Sequence, residues 1–354
     1  MNEPSAPLPQ RISIFGKLVR FFAMLLAGLI AFIALVILAF NIYLSTRPAA
    51  KTVRPVGIIS IPTPFELGRP FIDYMVIDGH TLYAGYASKS LVAVIDTDTN
   101  KTLATIGGLP RAHGIALVAG RNLGFASASG DSTVGVFDLS NHALQQKISA
   151  GVDPDAIIYD EKANLVYVGD HDGKAGILID PVAQKVVGSV PLGGEAEYPQ
   201  ADPNTGLIYQ NLEDTNEAVV IDPQKQAIAG RYNLRPAEGP TGLALDAANH
   251  RLFCATRSRQ LIVLDTNTGA IIAALPIGAA TDGAAYDSVL RRIYTANALG
   301  TMTVIQQDSA DHYHVLENAP THFGGHSLVV DPRTHRIYVA YFGSIAAYDA
   351  IQAN

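Results

Sequence analysis

A short pattern returns seven times along the chain, and its period limits the fold more than any other feature. Two apolar residues and an aspartate stand at Val94-Ile95-Asp96, Val136-Phe137-Asp138, Leu178-Ile179-Asp180, Val220-Ile221-Asp222, Val263-Leu264-Asp265 and Ala347-Tyr348-Asp349. Val304-Ile305-Gln306 is the variant copy, and the steps between copies are 42, 42, 42, 43, 41 and 43 residues. An aromatic residue precedes each by 11–13 positions: Tyr83, Phe125, Tyr167, Tyr209, Phe253, Tyr294 and Tyr338. Each unit breaks into four short β-rich runs separated by turn formers such as Asp172-Gly173 and Asp180-Pro181. Four strands in about 42 residues is the period of a propeller blade. The reading is all-β, a seven-bladed β-propeller over residues 55–354 with an N-terminal transmembrane helix.

The seventh unit ends after its third strand, so a fourth must come from elsewhere or leave an open edge. Residues 57–61, Gly-Ile-Ile-Ser-Ile, resemble the fourth runs of other units and are expected to pair antiparallel with the segment 346–349.

From Phe21 to Phe40 no charged or strongly polar residue interrupts the chain. Twenty residues at 1.5 Å rise match a hydrocarbon core of about 30 Å. The run exceeds a signal-peptide h-region, and no small-x-small cleavage site follows it. The expected organisation is a short cytoplasmic tail over 1–20, a signal anchor over 21–44, a polar tether over 45–54 and then the propeller. Basic residues flank the run equally, with Arg11, Lys17 and Arg20 before it and Arg47, Lys51 and Arg54 after it. Charge alone therefore leaves the orientation open. A large domain behind an N-terminal anchor points to the inner (cytoplasmic) membrane, single-pass, with the propeller in the periplasm or outside.

The repeats "LYAGYASKSLVAVIDTDTNKTLATIG" (82–107) and "LVYVGDHDGKAGILIDPVAQKVVGSV" (165–190) resemble the YVTN-type repeat of YncE-like propellers, and the resemblance covers all seven units. It implies a binding protein of the periplasm or cell surface, with lactonases and lyases as relatives in shape, and it does not assign a reaction. Nucleic-acid binding, described for YncE-like proteins, is not expected. Residues 51–354 carry 21 basic against 31 acidic side chains, a net charge of −10, and the chain has no tryptophan. The missing tryptophan also argues against the docked blades of quinoprotein dehydrogenases, so no PQQ is expected.

The single cysteine, Cys254, excludes an internal disulfide, a zinc ribbon and an iron–sulfur cluster, and reads as a small buried side chain. No Gly-x-Ser-x-Gly elbow, Walker loop or dinucleotide fingerprint occurs, so neither a serine hydrolase nor a nucleotide site is expected.

A propeller's first strands line its channel, and the loops leading into them share a face with the loops between second and third strands. In register, these lead-in loops place His113, Asp155, Glu197, Thr241, Asp282 and His326 at one equivalent position in blades two to seven. Asp73 of blade one falls there within one residue. Two readings stand. Short polar side chains satisfy backbone amides in turns. Alternatively, His113, Asp155, Glu197, Asp282 and His326 converge as ligands for a divalent cation, with zinc, iron, manganese or copper favoured over calcium by the imidazoles. The subset expected to hold it is His113, His326 and Glu197, leaving Asp155 or Asp282 as a base. The second-to-third loops add Arg257 and Arg259, and His171 reads there as a solvated residue; His322, in the lead-in loop before His326, is a reserve ligand. The function expected first is binding of a small-molecule or protein ligand at the channel mouth. A metal-dependent, lactonase-like hydrolase or lyase is the alternative, and a scaffold in a membrane complex is the third.

Overall fold

The computed structural model describes residues 14–63 and 70–352; residues 1–13 of the expected tail lie outside them. The chain divides into two units, 1–49 and 50–354. The first is a 32-residue helix, Ile14–Ser45, about 48 Å long at 1.5 Å per residue. Its stretch Gly16–Val36 is long and apolar enough to cross a membrane. Phe22, Met24 and Phe32 are each 60% exposed or more, so the helix carries an exposed apolar surface among the described residues.

The second unit forms seven four-stranded antiparallel sheets among the described residues. Six are built from consecutive strands over residues 75–107, 112–149, 154–191, 196–233, 240–276 and 281–320. Second and third strands carry continuous apolar runs and are buried on both faces, whereas fourth strands alternate with exposed positions. The core therefore lies between blades. Phe125, Val134 and Val136 of blade two pack on Val166, Val168 and Ile177 of blade three. The repeated aromatics, Phe125 and Tyr167 among them, are all buried in these seams.

The repeated aspartate shapes the hairpin between third and fourth strands. Asp96 Oδ1 accepts the backbone N–H groups of Asp98 and Thr99, both at 2.8 Å. Asp138, Asp180, Asp222 and Asp265 cap the same turn. A side-chain acceptor thus stands in for a backbone carbonyl.

The seventh blade takes its outer strand from the start of the unit. Val53–Ser60 pairs antiparallel with Ser344–Ala350, Gly57 opposite Ala347 and Ser60 opposite Ser344. The strand begins at Val53, inside the segment read as tether. Glu317 of blade six accepts the N–H groups of Lys51 and Thr52, and Arg54 pairs with Asp349 at 3.0 Å.

Candidate functional site

Each first strand from blade two to blade seven carries a β-bulge at one place. The pairing skips between Ala112 and Ile115, Pro154 and Ile157, Ala196 and Pro199, Pro240 and Leu243, Thr281 and Gly283, and Gly325 and Leu328. Residues His113, Asp155, Glu197, Thr241, Asp282 and His326 fall inside these bulges. An extra residue re-aims its side chain out of the ladder, here toward the channel mouth in four of the six. Neighbouring first strands crowd there. A Cβ on Gly114 would lie 2.8 Å from the backbone nitrogen of Ile157, and one on Gly242 would lie 2.4 Å from that of Ala284.

The mouth is a cavity of about 370 Å³ lined by Asp73, His113, Asp155, Glu197 and Asp282, with Arg111, Arg257 and Phe71 around them. At its centre Nδ1 of His113 lies 2.5 Å from Asp73 Oδ2 and 3.3 Å from Asp155 Oδ1. Nε2 faces Ser129 Oγ at 3.0 Å. Tyr74 donates its hydroxyl to Asp155 Oδ2 at 3.1 Å, and its ring meets Tyr198 edge-on at 4.9 Å.

Two carboxylates on one imidazole cannot all keep their ordinary charge in a buried place. Burial, and then the charge of Asp73, push Asp155 up to about 7. Burial pulls His113 down, but its hydrogen bond to Asp73 and the charges of Asp155 and Asp73 outweigh this and leave it raised. Tyr74, buried among four carboxylates, is raised well above its usual value, first by burial and then by Asp155.

A second group adjoins this one. His171 Nε2 lies 3.7 Å from Glu197 Oε1, with the carboxyl of Glu213 beside them. Burial, contact with Glu213 and the charges of Asp282 and Asp155 raise Glu197 well above the carboxylate range. The contact with Glu197 carries His171 up to about 10. Arg257 bridges Glu213 at 3.1 Å and Asp282 at 3.5 Å. Asp282 stands at the rim, raised by burial despite His326 and Arg257.

The expected convergence is thus divided. Asp155 joins His113, but through Asp73 rather than Glu197, while Glu197 joins His171 and Glu213. His326 does not reach the cavity: Nδ1 faces the Gly324 carbonyl, Nε2 faces that of Ile72, and the ring stacks on Phe71 at 4.5 Å. The trio His113, His326 and Glu197 is therefore not brought together. Thr241 is buried and donates to the Thr281 carbonyl of the next blade at 3.0 Å, a contact between blades and not a bond within its own turn. His171 is no free loop residue, because its side chain is only 26% exposed and is held by Glu197. His322 stacks on Tyr341 at 4.5 Å, away from the cavity lining. Cys254 is fully buried, and burial raises its thiol pKa. Sequence reasoning missed Tyr74 and Tyr198; both directly follow register positions singled out in the chain, Asp73 and Glu197, which was the available signal.

The donors Asp73, His113 and Asp155 offer ligand atoms within 4.8 Å of one another. Tetrahedral zinc ligands at 2.0–2.2 Å stand about 3.3 Å apart. The His113–Asp155 separation already matches, and Asp73 needs to withdraw by less than about 1 Å. An Nε2–H donated to Ser129 would leave the Nδ1 lone pair for a metal.

No protein-family model matches the sequence, and no curated protein matches it. Among solved structures, a chain of Kuenenia stuttgartiensis hydrazine synthase superposes with a TM-score of 0.69 at 15% identity. The match covers 87% of this chain and 98% of that one. At that identity the likeness shows the propeller fold alone.

Proposed function

We propose that the chain is a membrane-anchored, YncE-like β-propeller, held by its N-terminal helix with the ring on the extracytoplasmic side. It binds a ligand at the channel mouth, and a divalent cation of the zinc, iron, manganese and copper group is part of that ligand. The observation that carries this reading is the approach of Asp73 and Asp155 to one nitrogen of His113 inside a buried cavity. Two anions and a neutral imidazole form a chelating set of net charge −2, which a divalent ion neutralises. The anchor rests on the exposed apolar helix and the repeats on the motifs at 82–107 and 165–190.

Elemental analysis of full-length protein, purified without chelator or affinity-tag metal, is the direct test. One equivalent of metal that is lost in His113→Ala while the melt stays cooperative supports the reading. Metal retained by that variant, or none taken up from excess zinc, removes it. Alkaline carbonate extraction tests the anchor, since an integral protein stays in the pellet.

One observation favours a metal-dependent hydrolase or lyase as the second reading: Glu197, beside His171 and outside the chelating trio, is raised well above the carboxylate range by burial and stands in the same cavity as a candidate general acid or base. Turnover of simple lactones or esters by zinc-loaded protein, lost in Glu197→Gln while its zinc is kept, would select it.

A further inference from the structure

Two residues before the bulge position, four blades share a left-handed backbone: Arg111, Gly239, Ala280 and Gly324 have φ of +51°, +64°, +53° and +84°. Glycine meets no steric cost there and alanine a moderate one; long side chains adopt this backbone elsewhere in the ring too, as Lys174, Arg259 and Arg291 do, so the position of the Arg111 side chain, and not its φ, bears on the mouth. Only blade two among these four places a large residue at the turn. The turn itself does not need the side chain, because the Arg111 carbonyl makes the loop contact by accepting the Ser129 N–H at 3.3 Å.

The Arg111 side chain is exposed and lines the mouth, close enough for its charge to act on His113. Its guanidinium makes no hydrogen bond and no ion pair with any described residue. Arg257, the other arginine of the cavity, is held by Glu213 and Asp282. Blade two thus presents an uncommitted cation beside His113.

We propose that Arg111 anchors the carboxylate of a small 2-hydroxy or 2-oxo monocarboxylic acid whose other oxygen completes the shell of the cation at Asp73, His113 and Asp155. This rests on the cation reading above. With a divalent ion in place that trio is neutral, and Arg111 leaves one positive charge for one anion. Its planar fork matches a carboxylate in two parallel hydrogen bonds. Asp153 and Asp282 on the cavity wall disfavour a second negative charge, which counts against phosphate and dicarboxylates. A volume of about 370 Å³ lies at the small end of ligand pockets, and Phe71 supplies an apolar wall.

The test uses full-length protein in detergent, with zinc content measured alongside titrations of lactate, pyruvate and inorganic phosphate. Wild type loaded with zinc is expected to bind lactate or pyruvate more tightly than phosphate, and chelated protein is expected to bind them weakly. Arg111→Met should keep its zinc and lose roughly tenfold to a hundredfold in affinity for the acid; Arg111→Lys should recover part of it. Zinc content unchanged with equal lactate binding in Arg111→Met overturns the role of Arg111, and so does a preference for phosphate. Wild type without zinc overturns the cation reading itself, and the metal analysis alone identifies that outcome.

Discussion

Asp73 Oδ2 of blade one lies 2.5 Å from Nδ1 of His113 of blade two, so the seam between two blades is closed at the mouth by a contact whose charge depends on pH. Asp155 reaches the same nitrogen from blade three and is pushed up to about 7. In the unfolded chain an aspartate titrates near 3.9. The fold therefore holds an extra proton between about pH 4 and 7, and stability falls as pH rises through that window. His113 acts with the same sign: its raised value gives stability that is present below about 6.5 and lost as pH climbs through the folded value. Glu197, raised by burial, adds to the trend.

A bound cation reverses it, because metal displaces these protons. The expected outcome is a melting temperature that falls from about pH 5 to 8 in chelator and is restored toward pH 8 by zinc. At a hundred times Kd the zinc contribution is about 2.7 kcal/mol. Thermal melts in two parallel pH series check this, and a chelated protein that gains stability over that range contradicts it.

Asp155→Asn removes the charge and keeps an oxygen for the Tyr74 hydroxyl. Without metal the variant should be more stable by about 1 kcal/mol or more, since a poorly compensated buried carboxylate is replaced by a neutral isostere. It should no longer hold stoichiometric zinc. Asp282→Asn is the control, because Asp282 stands at the rim beside Arg257 and outside the chelating trio. Metal analysis and melts of both variants separate a chelating role from a general effect of mouth acidity.

The ring was readable from the chain because a repeat multiplies a weak signal. One Val-Ile-Asp means little, but Asp96, Asp138, Asp180, Asp222 and Asp265 make the same turn contacts at the same period. The strand that closes blade seven was readable from the absence of a fourth run after Asp349. The partners in the mouth were not. Register says that His113, Glu197 and His326 occupy equivalent places, yet a bulge aims each side chain by local pairing. Phe71 stacked over His326 and Ser129 under His113 decide which one faces the cavity. His171 is not legible from its own loop, because Glu197 of the next blade is what holds it.

Ile59 tests the closure. It is 2% exposed and packs with Ile345 and Tyr338 in the seam, whereas Ile58 beside it is 53% exposed on the other face. Ile59→Ala should cost about 2–5 kcal/mol by leaving a cavity. Ile58→Ala should stay within about 0.5 kcal/mol of wild type. Equal melts for the two variants would mean that this strand does not hold the ring shut.

Arg111 sets stability against binding at one residue. A non-glycine side chain in the left-handed region costs about 1–2 kcal/mol, and glycine gives back about 0.5–1 kcal/mol of that through the greater freedom of its unfolded chain. Arg111→Gly should therefore be more stable than wild type by up to about 1.5 kcal/mol. Arg111→Ala keeps the β-carbon and the φ of +51°, as Ala280 does in blade six, and should melt close to wild type. Both lose the guanidinium and should bind lactate equally poorly. A gain confined to glycine, with carboxylate binding lost in both, would show that the strain belongs to the backbone and the binding to the side chain. Arg111→Gly melting below Arg111→Ala would mean that the turn is not strained and that arginine stands there without cost.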